Sequence, residues 1–112
     1  MKNPGFLYYA WFPSISVFKV GRTISGLRRF QSTDYTKFFR QYGKYEYVNC
    51  VWLKEHYYTE KYIHKEYKNQ GFINMKPKRE YYYANSLSEY LYSKEIFDEY
   101  CYYANKKIIR DV

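Results

Sequence analysis

The sequence predicts an α+β fold, on three observations. Two aromatic-apolar runs, residues 5–12 and 16–21, flank a Pro13-Ser14 turn and read as paired strands. Residues 55–70 hold neither glycine nor proline and read as a helix. Ser86-Leu87-Ser88-Glu89 is a capping box that opens a second long helix. A chain of 112 residues builds one hydrophobic core, so residues 1–112 are expected to form a single domain.

Taken in order, the first strand stops at Pro13. Centring the turn on Pro13-Ser14 pairs residues whose numbers sum to 27. Tyr8 then faces Lys19 and Phe6 faces Gly21 on one side of the hairpin. Leu7, Tyr9, Trp11, Phe18 and Val20 take the other side and are expected to meet the core. Ser25-Gly26 marks the start of a short helix from Leu27 to about Ser32, carrying Arg28 and Arg29. Residues 33–43 are ambiguous and end at Gly43; residues 44–53 read as a third strand. The helix over 55–70 stops near Gly71. Residues 71–84 are expected to be irregular around Pro77, with Glu80-Tyr81-Tyr82-Tyr83 extended. The last helix, about 86–107, shows an apolar stripe of Tyr90, Phe97, Cys101, Ala104 and Ile108.

Charge is uneven along the chain. Residues 1–54 hold nine Lys/Arg against two acids, and residues 55–112 hold ten against nine. The net is therefore +7 against +1. That asymmetry points to an anionic partner docking on the first half, nucleic acid in preference to a membrane surface. Cys50 and Cys101 are too few for a disulfide framework or a metal cluster, so a reducing intracellular compartment, cytoplasmic or nuclear, is expected. No signal-peptide pattern and no apolar run of about 20 residues is present. The eighteen tyrosines, with abundant Lys, Asn, Ile and Phe, share AT-rich codons, so a genome bias explains most of them.

The stretch Phe18-Lys19-Val20-Gly21-Arg22-Thr23 carries the chemistry. It runs a strand into a glycine and a basic turn aimed at an anion. Ionising a tyrosine at pH 7 costs roughly 4 kcal/mol, and neighbouring cations lower that cost. Lys19, with Arg22 and Arg29 close by, would let Tyr8 accept a proton from water. Arg22, Arg28 and Arg29 surround a helix start whose free N–H groups already favour phosphate. Lys37 and Arg40 extend this phosphate-binding set. In the second helix His56, Glu60 and His64 share one face at four-residue spacing and could ligate a transition metal. Glu60 alone, as an oxygen ligand for Mg²⁺ or Mn²⁺ with waters and phosphate, is the simpler alternative.

Phe6-Leu7-Tyr8, Lys19-Val20-Gly21, Arg29 and Glu60, in that order, resemble the GIY-YIG nuclease superfamily. The closer likeness is to its phage and large-virus branch, the Orf-172-type DNA-binding domain. Glu60 with His64 four residues on, and Arg79-Glu80-Tyr81-Tyr82, belong to the same likeness, which spans roughly residues 5–95. The resemblance implies a small three-stranded mixed sheet flanked by helices, and phosphodiester hydrolysis with one divalent metal. It implies that Tyr8 activates the attacking water, Arg29 stabilises the phosphate or leaving group, and Glu60 holds the metal, with His64 and Glu80 in support. Lys19 stands where the name-giving pattern has its second tyrosine. The expected function is a metal-dependent DNA endonuclease or nickase acting on double-stranded DNA. A non-catalytic DNA-binding module of the same fold is the alternative.

Overall fold

In the computed structural model, residues 4–24, 43, 45–76 and 78–110 are described, without the side chains of 47, 48 and 106–110. β1 (Gly5–Phe12) ends at Pro13, whose missing amide cannot continue a ladder. β2 (Val17–Thr23), β3 (Glu46–Leu53), β4 (Asn74–Met75) and β5 (Lys78–Tyr83) complete one sheet in the order β3-β1-β2-β5-β4. Every neighbouring pair in it is antiparallel. Among the described residues the sheet is therefore five-stranded and antiparallel, where the resemblance implies a three-stranded mixed sheet. The two added strands come from residues 71–84, expected to be largely irregular. The extension of Glu80–Tyr83 is borne out within β5.

The hairpin register also differs. Phe12 pairs with Val17, so the turn spans Pro13 to Ser16 and Tyr8 lies opposite Gly21, with Ala10 opposite Lys19. Ser16 sits at φ 53°, a left-handed position rarely given to a residue other than glycine, so the sequence carries no sign of it. The slip is two residues, and side chains alternate with period two. The assignment of faces therefore survives. Leu7, Tyr9, Phe18 and Val20 are fully buried in the main core, with Trp11 packed at its margin.

Among the described residues two helices, α1 (His56–Asn69) and α2 (Leu87–Arg110), contribute to that core face. Gly71, at φ 88°, ends α1 with a left-handed turn. The Phe72 amide donates to the Tyr67 carbonyl at 3.0 Å and the Gly71 amide to the Lys68 carbonyl at 3.1 Å. The rings of Tyr67 and Phe72 close the motif at 5.5 Å. The predicted cap of α2 is present: the Glu89 amide donates to Ser86 Oγ at 3.1 Å. The Glu89 carboxylate reaches back to the Asn85 amide, one residue before the cap.

The core is aromatic. Phe18 meets the rings of Tyr9, Tyr67, Phe72 and Tyr82 at 5.0–5.5 Å. Such ring pairs contribute about 0.5–1.5 kcal/mol each beyond their buried area. Their hydroxyls are not stranded. Ser93 Oγ donates its single proton to the Tyr90 carbonyl at 2.7 Å, so Tyr9 donates to Ser93 Oγ, also at 2.7 Å. Tyr67 donates to the Ser93 carbonyl at 2.9 Å. The opposite sheet face holds a second cluster of Tyr8, Ala10, Phe12, Val17, Met75 and Tyr81. Cys50 and Cys101 are free thiols. No helix among the described residues is long and apolar enough to cross a membrane.

Burial raises the Tyr9 and Tyr67 hydroxyls well above the ordinary value of 10.0 and pushes Tyr82 up to about 12. Unfolded phenols ionise near 10 while these keep their protons, so above that pH the unfolded chain binds fewer protons. The contribution of these hydroxyls to stability is expected to be constant below pH 10 and to fall as pH rises from there towards 12. Urea midpoints across that window check this. Tyrosinate absorbance of the core rings should appear with unfolding, not before it.

Candidate functional site

The ladder between β2 and β5 stops at Lys19↔Tyr81, although β2 runs on to Thr23 and β5 begins at Lys78. The strands part there, and α1 lies across the gap on the main core side. Glu60, His64, Glu80 and Tyr82 face a cleft of about 420 Å³. Its walls carry Lys61, Lys65 and Lys68 from α1 and Arg79 from β5. Helical spacing explains the first three, which recur at i, i+4 and i+7.

On the floor, one ligating atom from each of Glu60, His64 and Glu80 lies within 4.8 Å of the others. Arg22 Nε donates to Glu60 Oε1 at 3.2 Å, and its guanidinium covers the Tyr57 ring at 4.9 Å. Arg22 is 42 % exposed, so this pair contributes at most about 1 kcal/mol. Glu60 Oε2 lies 3.6 Å from His64 Nε2. Both atoms are buried, with no hydrogen-bond partner among the described residues. His64 Nδ1 is fixed by the Tyr82 hydroxyl at 2.6 Å.

Lys19 is buried at 5 % exposure, its ammonium 3.8 Å from Glu80 and packed on the rings of Tyr8 and Tyr81. β2 is an interior strand, so Lys19 does not serve to protect an exposed sheet edge from aggregation. Burial pushes the Glu80 carboxyl above its ordinary value; Lys19 pulls it down and the Glu60 charge raises it again. Two carboxylates and two cations are thus crowded around one gap.

The sequence-predicted residues divide accordingly. Glu60, His64, Glu80, Arg22 and Lys19 are brought together. Tyr8 is not part of the carboxylate–imidazole group: it lies on the second cluster's face and connects to it through Lys19. A Cβ on Gly21 would fall 2.5 Å from the Tyr8 hydroxyl, so only glycine lets that ring lie where it does. His56 leaves the predicted His–Glu–His face. Its ring packs on Gly5, where an added Cβ would come within 2.7 Å of Nε2. Glu80, from β5, takes its place beside Glu60 and His64. Arg28, Arg29, Lys37 and Arg40 lie outside the described residues. Sequence reasoning missed Lys61, Lys65 and Lys68 as cleft residues, although their helical spacing was visible, and gave Tyr82 no role although it stands in the Arg79-Glu80-Tyr81-Tyr82 run.

Tyr58, Tyr62, Tyr100 and Tyr103 of the two helices line a separate groove, which shares no residue with the charged cleft. Comparison with curated proteins and with solved structures gives no significant match. The T5orf172 domain model matches residues 5–110, nearly the whole chain. The chain therefore belongs to the T5orf172 domain family, related to GIY-YIG-like nuclease and DNA-binding domains.

Proposed function

We propose that the protein is a metal-dependent DNA endonuclease or nickase, working in the cleft between α1 and the parted ends of β2 and β5. The observation that carries this reading is a floor of two carboxylates and an imidazole under a wall of four cations. Carboxylates beside a phosphate track repel the ligand unless a cation lies between them. Glu60 would hold a divalent ion, Mg²⁺ or Mn²⁺, which when bound polarises the scissile phosphate.

The remaining work belongs to the chain. Lys61, Lys65, Lys68 and Arg79 hold backbone phosphates and fix the strand's register. Arg22, Arg28, Arg29, Lys37 and Arg40 would bind further phosphates, as the family resemblance implies for Arg29, which would neutralise charge on the phosphate or leaving oxygen. Tyr8, acting as the tyrosinate beside the Lys19 ammonium, accepts the proton of the attacking water and becomes the neutral phenol. The water oxygen forms the new P–O bond as the bond to the leaving oxygen breaks.

One observation favours the alternative, a DNA-binding module that does not cut. Tyr8 is 1 % exposed and lies on the other face of the sheet from Glu60. A plasmid-nicking assay with Mg²⁺ or Mn²⁺, with and without chelator, separates the two. Nicking that needs the ion supports the enzyme; tight binding with no nicking between pH 6 and 9 supports the module.

Binding itself has an expected signature. Four wall cations releasing counterions give a log–log salt slope of at least about −3 on duplex DNA. Lys65→Ala and Lys68→Ala should each reduce that slope by about 1, with little change in sequence preference. Affinity that does not move between low and physiological salt removes the phosphate track.

A further inference from the structure

We propose that Glu60, His64 and Glu80 form a three-ligand site that takes up a Zn²⁺- or Mn²⁺-class dication before nucleic acid arrives, in preference to Mg²⁺. The proposal rests on the metal-dependent reading above for its use, but not for its existence. Glu60 is 8 % exposed, and its Oε2 has no hydrogen-bond partner among the described residues. His64 Nε2 is in the same condition, 3.6 Å away. That separation is too long for a hydrogen bond. An ion with ligands at about 2.1 Å spaces neighbouring donors about 3.0–3.5 Å apart, close to what is found.

The surroundings prepare both side chains for this role. Arg22 occupies Glu60 Oε1 and leaves Oε2 turned to the gap. The Tyr82 hydroxyl holds His64 Nδ1; with Nδ1–H donating to it, Nε2 keeps its lone pair for a cation. Tyr82 also stacks on the imidazole at 5.6 Å, which fixes the ring plane. Glu80 is the adjustable member, its side chain 47 % exposed on β5. Its rotamers can bring its carboxylate in by the roughly 1–2 Å that separates the 4.8 Å spread from the spacing of ligands on one ion.

The donor set decides the ion. Mg²⁺ demands oxygen ligands and keeps most of its waters. One imidazole with two carboxylates suits Mn²⁺, Co²⁺ or Zn²⁺, with affinity rising along that series. The sequence reading that makes Glu60 the only protein ligand would leave Nε2 of His64 buried without a function.

The test is calorimetric titration of the chelator-treated full chain, without nucleic acid, using Zn²⁺, Mn²⁺ and Mg²⁺ in turn. One Zn²⁺ is expected per chain, at least ten-fold tighter than Mg²⁺, with Co²⁺ giving the visible absorption of a mixed nitrogen–oxygen site. His64→Ala should weaken Zn²⁺ at least ten-fold and abolish that spectrum. Glu80→Gln, at a half-exposed position that folding tolerates, should weaken it by a similar factor. Equal weak binding of Zn²⁺ and Mg²⁺ by the unmodified chain overturns the site. So does Zn²⁺ affinity unchanged in both variants. Selective binding without any cleavage sinks only the nuclease reading; Mg²⁺-supported cleavage without selective binding sinks only the three-ligand site.

Discussion

Glu60→Gln is expected to lower DNA cleavage by orders of magnitude while binding, measured in chelator, stays the same or tightens. Glutamine keeps the size of the side chain and its helix preference. Its carbonyl oxygen can still accept from Arg22, so the 3.2 Å contact that links β2 to α1 is preserved. It also ends the repulsion between Glu60 and Glu80, which lies behind part of the upward push on the Glu80 carboxyl. The fold should therefore be intact or slightly steadier. What is lost is an anionic ligand, which a divalent ion needs far more than a neutral amide. In a pure binding module the same change should do no more than raise affinity slightly, with or without metal. Cleavage by Glu60→Gln at the unmodified rate would place the metal elsewhere.

Tyr8→Phe is expected to abolish the chemical step and leave both folding and DNA affinity unchanged. The ring remains in the cluster with Ala10, Phe12, Val17, Met75 and Tyr81, so no cavity is opened. The hydroxyl lies over Gly21, where no side chain competes for the space. Only the group proposed to take the water's proton is removed. Single-turnover nicking measured beside filter-binding affinity distinguishes the steps. A Tyr8→Phe protein that nicks at the normal rate moves the base to another residue.

Much of this was legible in the sequence, for identifiable reasons. Pro13 set the end of β1, the absence of glycine and proline over 55–70 set α1, and Gly71 stopped it. Ser86 and Glu89 announced α2. In each case a single residue has a strong local backbone consequence. The main core face was readable because period-two alternation does not depend on register. β4 was not readable, since two residues carry no pattern. β5 was legible only as the extended run Glu80–Tyr83, because consecutive tyrosines suit both faces of a strand equally well and hide its pairing. The exchange of His56 for Glu80 in the carboxylate–imidazole group depends on β5 lying beside β2. Glu80 is twenty residues from Glu60, so no helical spacing could announce it.

The turn from Pro13 to Ser16 has a consequence for which mispairings of this hairpin matter. A slip of two residues slides β2 along β1 yet returns every side chain to its own face. Arg22 then still looks towards α1, and Lys19 towards Tyr8's side. A slip of one residue is different in kind. It turns β2 over, sends the Lys19 ammonium into the aromatic core and carries Phe18 out of it. Mispairing in this hairpin is therefore filtered by parity, and a turn that changes length while still closing Phe12 on Val17 leaves the faces as they are.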